Sequence, residues 1–149
     1  MVTMVVCFAS YEFFLRTCLG SLAQQVMSSW HLDPLEFSNL TTAYYVTYGV
    51  MQIPVGFIVP RLGVKWSLCL GFALVIVSTW LFDHAPNYGI ALLSRFMMGA
   101  GSSFAFICLF FLILNTFSSL YHGLAIGLSQ FAVTLFGPLQ AAGPLIFII

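Results

Sequence analysis

The chain has 149 residues, of which 61% are hydrophobic and only 5% are charged, with four basic residues balancing four acidic ones. Soluble domains carry about 25% charged residues, so this composition excludes a soluble globular domain and a disordered tail. It also excludes a nucleic-acid binder, because such a protein needs a basic patch to contact phosphates. The composition therefore predicts a polytopic membrane protein.

The apolar residues form five long runs, separated by short stretches that hold turn residues and most of the charge. A helix needs about 20 residues to cross a hydrocarbon core of about 30 Å. The runs are too long and too uniformly apolar for barrel strands, so we predict an all-α transmembrane helix bundle. The spans form one partial transmembrane domain over residues 1–149 and cover approximately residues 2–30, 37–59, 66–82, 88–117 and 123–149.

The charges of the connections predict the orientation of these spans. Arg61 and Lys65 share the second connection, whereas the first and third connections hold Asp33, Glu36 and Asp83. Positive charge favours the cytoplasmic side of a membrane. The second connection and the N-terminus are therefore expected in the cytoplasm.

The first span contains two charged residues, Glu12 and Arg16, one helical turn apart on one helix face. Each costs a few kcal/mol in the middle of a membrane helix, so a function is expected for both. They are interpreted either as a charged site in a water-filled cavity, able to bind a zwitterionic or anionic solute, or as a structural ion pair between helices. Both interpretations place them inside the bundle.

A polar and aromatic stripe runs along the second span. At 100° per residue its members lie within about 100° of arc: Thr41, Tyr44, Tyr45, Tyr48 and Gln52. The stripe extends over about three turns, which an interfacial belt of tyrosines does not explain. Rings that give apolar contact and hydroxyls that orient a ligand are typical of a solute pathway. The alternative is a set of tyrosines that hydrogen-bond to a neighbouring helix.

The other spans differ in polarity. One face of the fourth span groups Arg95, Gly99, Ser102 and Phe106. Arg95 could bind an anionic group, relay an effect of protonation, or extend its side chain to the membrane surface. The fifth span groups Gln130 and Thr134 on one face. The third has few polar residues and is predicted to face lipid.

Motifs for enzymatic chemistry are absent from the sequence. There is no phosphate-binding loop, nucleophile elbow or paired-histidine motif, and the cysteines and histidines are scattered singly. We therefore expect no enzymatic activity, no cofactor and no metal.

The second connection and its flanks carry a recognisable motif. Residues 56–65 read Gly-Phe-Ile-Val-Pro-Arg-Leu-Gly-Val-Lys. This resembles the Gly-x-x-x-Asp-Arg-x-Gly-x-Arg/Lys signature between spans two and three of the major facilitator superfamily. The matching residues are Gly56, Arg61, Gly63 and Lys65. Pro60 replaces the aspartate, so the gating contact which that carboxylate makes in the family lacks its acidic partner here.

Two further stretches resemble motifs of the same family. Residues 95–101 read Arg-Phe-Met-Met-Gly-Ala-Gly, which is similar to the fourth-span Arg-x-x-x-Gly-x-Gly motif. Gly127 and the pair Gly137-Pro138 resemble a fifth-span motif of many exporters, although alanines replace its closing glycines here. Together with the five spans, these similarities extend over the whole chain.

The resemblance implies a secondary transporter with alternating access between two six-helix halves, driven by an ion gradient, of protons or sodium, or by the solute's own gradient. Spans one, two, four and five then line a central cavity. The predicted substrate-binding residues are Glu12, Arg16, Tyr44, Tyr45, Tyr48, Gln52 and Arg95. The predicted gating residues are Gly56, Arg61, Gly63 and Lys65. The opposed charges of Glu12 and Arg16 favour an amino acid, a peptide or an organic anion as substrate.

Five spans are one fewer than a six-helix half contains. We therefore expect a fragment or a truncated gene product that needs a C-terminal half or a partner chain for transport. The alternatives are a small non-transporting subunit of a membrane complex and an inactive remnant. The expected location is the plasma membrane, which is the inner membrane in a bacterium.

Overall fold

The computed structural model describes residues 7–14, 20, 23–30 and 33–146, with side chains for all of these except residues 25, 29, 30 and 136–146. Every regular element among these residues is helical, so the predicted all-α bundle is confirmed. The helical segment 7–14 is named α1. The later helices are α2 (Ala23–Trp30), α3 (Pro34–Leu62), α4 (Val64–Asp83), α5 (Tyr88–Thr116) and α6 (His122–Ile146), and a 3₁₀ turn, Ser119–Tyr121, precedes α6.

The starts of α3 and α5 are set by capping residues in the polar connections. Before α3, the backbone N–H of Asp33 donates a hydrogen bond to Glu36 Oε2 at 3.2 Å, and Pro34 occupies the first helical turn, where its missing N–H costs nothing. Before α5, Asn87 Oδ1 accepts a hydrogen bond from the N–H of Ile90 at 3.0 Å.

The end of α3 lies further along the chain than the predicted boundary at residue 59. Pro60 lies inside the helix, which continues to Leu62. A proline this close to a helix end removes a single intrahelical hydrogen bond, and the N–H of Gly63 then donates to the carbonyl of Val59 at 2.9 Å. Gly63 alone separates α3 from α4, with φ 80° and ψ 158°, a backbone conformation that is essentially restricted to glycine.

Helix α5 lies at the centre of the bundle, between α3 and α4. Contacts with α3 follow the same order along both helices, as Tyr88 contacts Glu36 and Gly99 contacts Thr47, so the two helices are parallel. Contacts with α4 follow the reverse order: Gly101 lies against Val75, and Arg95 lies over Phe82. Helix α4 is therefore antiparallel to α5.

Glycines allow the backbones of α4 and α5 to approach closely. A Cβ atom placed on Gly101 would lie 2.8 Å from Val75 Cγ2 and 3.0 Å from the carbonyl oxygen of Gly71. Any larger residue would push the helices apart, as is usual where small residues pack membrane helices.

The outer surface of the bundle is apolar. Among the described residues, two helices, α4 and α5, are long and apolar enough to cross a membrane. Only 22% of the most apolar stretch of α4 is buried inside the bundle, whereas 56% of the corresponding stretch of α5 is buried. Helix α4 thus takes the outward position predicted for the third span, with large side chains exposed: Trp66, Leu70, Ile76, Val77 and Trp80.

Candidate functional site

Helix α1 brings a carboxylate into the bundle. The Phe8 ring is 1% exposed and stacks on Phe72 of α4, with ring centroids 3.8 Å apart. Ala9 joins the same apolar cluster as Val133 of α6. These contacts hold α1 against its neighbours, and Glu12, one turn after Phe8, is 4% exposed. The interior position predicted for Glu12 is therefore observed.

The described residues line a small, partly open cavity of about 70 Å³ between α1, α3, α5 and α6. Three polar side chains from three helices reach it: Glu12, Tyr48 and Gln130. The remaining lining is apolar and consists of Ala9, Phe13, Phe106, Leu109 and Val133. The volume suffices for water but is well below the roughly 300–1,000 Å³ of a typical ligand pocket.

The elements around this cavity correspond to predicted spans one, two, four and five. Its described lining includes no side chain from α4, the helix of predicted span three. The arrangement agrees with the central cavity that the family resemblance implies.

Aromatic rings extend from the cavity along the boundary between α3 and α5. Tyr48 faces Phe106 with ring centroids 6.4 Å apart. Tyr44, which is 2% exposed, stacks nearly parallel on Tyr48 with centroids 6.4 Å apart. Edge-to-face and offset-stacked pairs at such distances are favourable. The rings of α3 and α5 thus form a continuous aromatic path to the cavity.

The predicted stripe on α3 is wider than the surface that lines this cavity. Tyr48 lines it, whereas Tyr45 is 46% exposed and makes an edge contact with Tyr44 at 5.7 Å. Gln52 is half-buried, one turn beyond Tyr48. The structure therefore brings Tyr48 and Glu12 together at one cavity, and neither Tyr45 nor Gln52 lines it.

Arg95 is buried between helices, away from the cavity lining. Its side chain is 6% exposed, and its Cζ atom lies 4.5 Å from the centroid of the Phe82 ring. Gly99, on the same face of α5, contacts the backbone of α3. Of the four residues predicted to share this face of α5, Phe106 alone lines the described cavity.

The remaining candidates lie elsewhere. Arg16 lies outside the described residues. Three of the four proposed gating residues lie at the α3–α4 joint, where Gly63 forms the turn and Arg61 and Lys65 are exposed. Gly56 lies earlier, inside α3, and is also exposed. Because α3 begins beside the start of α5, this joint is at the end of the bundle opposite to the α4–α5 connection.

Two residues that were not predicted as site residues contact the cavity or a predicted site residue. Gln130 reaches the cavity, and its signal was present, as a polar residue in an apolar span. Phe82 contacts Arg95, but it is one of 16 phenylalanines and no pattern distinguished it. In the part of the chain that the structure describes, no three His, Cys, Asp or Glu side chains are grouped to hold a metal ion.

Comparison with known proteins identifies similar sequences. The family model described as Major Facilitator Superfamily matches residues 5–147. "Uncharacterized transporter YybO" of Bacillus subtilis (strain 168) is 30% identical over 95 residues, which cover 64% of this chain and 22% of that protein. "Multidrug efflux protein YfmO" of the same organism is 31% identical over 111 residues, covering 74% of this chain and 26% of that protein. The matched segments thus span about a quarter of these relatives' length. No solved structure gives a significant match.

Proposed function

Because the chain belongs to the major facilitator superfamily, we propose that it forms part of a secondary transporter that moves a small organic solute across a membrane by alternating access. The observation that carries this proposal is the convergence of Glu12, Tyr48 and Gln130, from three helices, on one cavity. A few polar groups in an otherwise apolar lining are typical of ligand sites.

Each of the three polar residues has a distinct role in this proposal. The carboxylate of Glu12 accepts hydrogen bonds from the solute or carries a proton. Tyr48 supplies ring contact and a hydroxyl that orients the solute. Gln130 contributes an amide that both donates and accepts hydrogen bonds. The cavity of about 70 Å³ must widen to admit a solute larger than water.

The substrate class proposed first is an amino acid, a peptide or an organic anion. It rests on the opposed charges of Glu12 and Arg16. If Arg16 binds an anionic group, Arg16→Ala should strongly reduce transport of such solutes without loss of protein. Unchanged transport would exclude that role.

A second candidate function is the export of several apolar organic compounds. It is favoured by the aromatic lining, Phe13, Tyr48 and Phe106, and by the similarity to a protein named for multidrug efflux. Cells that make the protein would then retain less of an apolar fluorescent dye, and Arg16→Ala would leave this efflux unchanged.

The remaining parts of the proposal concern the gate, the coupling and the membrane. A cytoplasmic gate is formed by Gly56, Arg61, Gly63 and Lys65, and the N-terminus lies in the cytoplasm. Protons or sodium drive transport. The membrane is the plasma membrane, which is the inner membrane in a bacterium. Transport needs a second half, in the same polypeptide or in a partner chain. The exposed positions of Arg61 and Lys65 at a helix joint support the gate.

The test is a transport assay on the protein at its full native length, reconstituted into liposomes and screened with amino acids, peptides, organic anions and apolar dyes. Glu12→Gln should reduce flux at least tenfold, because the amide can neither carry a proton nor present a carboxylate to the solute (about 1.4 kcal/mol per tenfold change). The matched control is Glu36→Gln, at the exposed start of α3, which should transport normally. Equal flux for both variants would contradict the role of Glu12.

The alternatives to a transporter are a non-transporting subunit of a membrane complex and an inactive remnant. An antibody against residues 33–36 would report the mass of the native product. A band far above 16.5 kDa supports a complete transporter. A band at that mass, held in a stable hetero-complex, supports the subunit.

A further inference from the structure

The guanidinium of Arg95 lies over the face of the Phe82 ring. Its Cζ atom is 4.5 Å from the ring centroid, and the Arg95 side chain is 6% exposed. A cation within about 6 Å of a ring centroid is attracted by the ring quadrupole, and the attraction is stronger where water is excluded. The contact therefore stabilises a charged group that is buried between helices.

Phe82 is itself packed against the buried apolar cluster of Leu40 from α3 and Ala91 from α5. It lies in the last turn of α4, which ends at Asp83, and the N–H of His84 donates to the carbonyl of Trp80 at 3.2 Å. The connection to α5 is short, and Asn87 in it caps the N-terminus of α5. The ring thus has a fixed place, whereas the guanidinium is at the end of a flexible side chain.

We propose that Phe82 is a positioning residue for Arg95: its ring fixes where the guanidinium lies between α4 and α5, and Arg95 acts in transport from that place. A planar guanidinium over a ring keeps its N–H donors available at its edge. The inference rests on the proposed function and on the sequence prediction that Arg95 is a substrate-binding residue, although Arg95 does not line the described cavity. It adds a role in transport for a residue of the outward-facing helix α4.

The first part of the test compares substitutions at Phe82 in the full-length protein in liposomes. Phe82→Leu keeps an apolar side chain but removes the ring, whereas Phe82→Tyr keeps the ring face. Phe82→Leu should lower the transport rate about 2- to 30-fold, which is the range that loss of one cation–π contact gives. Phe82→Tyr should restore most of that rate. Trp80→Leu is the matched control: it also removes an aromatic ring from α4, but Trp80 is 62% exposed on the outer surface, so this variant should transport normally.

The second part measures melting temperature, so that it does not depend on a substrate. Phe82→Leu should lower the melting temperature more in the wild-type background than in an Arg95→Gln background. The packing of the ring against Leu40 and Ala91 is reduced in both backgrounds, whereas the contact with the guanidinium is lost only in the first. Equal effects in both backgrounds would overturn the proposal.

The combined outcomes separate this inference from the proposed function. Coupling in melting temperature together with loss of transport on Phe82→Leu supports the positioning role. Coupling in melting temperature with normal transport means that the contact only stabilises the helix pair, which overturns that role. If the wild-type protein moves no solute, the proposed function fails, and the melting-temperature cycle alone decides whether Phe82 holds Arg95.

Discussion

Gly99 of α5 lies directly against the backbone carbonyl of Tyr44 of α3. A Cβ atom at this position would contact that oxygen and would lie 3.1 Å from Thr47 Cβ and from the backbone nitrogen of Tyr48. These are mainly backbone atoms, which cannot rotate aside as a flexible side chain can. The absence of a side chain at Gly99 therefore sets how close α3 comes to α5, and with it the place of the tyrosines that lead to the cavity.

Gly99→Ala should destabilise the protein by about 1–3 kcal/mol, the usual cost of overpacking. The melting temperature of the purified protein in detergent is the appropriate measurement. Gly49→Ala, on α3, is the control, because a Cβ atom there meets nothing within 4 Å. Equal melting temperatures for the two variants would show that the helices are not in close contact at Gly99.

Gly63→Ala should also be destabilising, for a different reason. Space is available at this residue, but its φ of +80° is a conformation that costs other residues about 1–3 kcal/mol. Gly56→Ala, inside α3 and also in open space, should be neutral or slightly stabilising because alanine favours a helix. Thermal unfolding of both variants tests this difference, and a stable Gly63→Ala variant would contradict the one-residue joint between α3 and α4.

Gln130→Ala should reduce transport, because it removes an amide from the cavity formed with Glu12 and Tyr48. We expect a loss of roughly 5- to 30-fold, consistent with about 1–2 kcal/mol for a hydrogen bond to a buried group. The neighbouring Ser129→Ala is the matched control, since the Ser129 hydroxyl donates to the carbonyl of Ala125 on its own helix at 2.7 Å. The measurement is solute flux in liposomes for both variants. An equal loss of flux for Gln130→Ala and Ser129→Ala would contradict a role of Gln130 in the site.

The fold was predictable because an apolar chain in lipid can adopt few kinds of backbone structure. Long apolar runs must form helices there, since only helices and closed barrels satisfy their backbone hydrogen bonds. The interior position of Glu12 follows from the same physics, as a charge that faces lipid is costly. Both conclusions depend on local composition, which the sequence contains in full.

The detailed arrangement of the site was less predictable. Helical periodicity places Tyr45 and Tyr48 in one stripe, but it does not tell how far the helix is rotated toward its neighbours. That rotation follows from contacts between distant residues, such as Gly99 with Tyr44. It leaves Tyr45 46% exposed. The contact of Phe82 with Arg95 likewise depends on how α4 and α5 cross, which no local pattern encodes.

The central claim, that the cavity at Tyr48 belongs to a solute pathway, is tested most directly by water accessibility. The four native cysteines at positions 7, 18, 69 and 108 are first replaced by alanine in the full-length protein. Tyr48→Cys and Val50→Cys are then treated in membranes with a membrane-impermeant thiol reagent. Val50 lies on the same helix, is 62% exposed on the bundle surface, and serves as the lipid-facing control.

We predict that the Tyr48→Cys variant reacts with the reagent in at least one conformation and that added solute changes the rate, whereas Val50→Cys stays unlabelled. Labelling at Tyr48→Cys no faster than at Val50→Cys, with or without solute, would contradict the account.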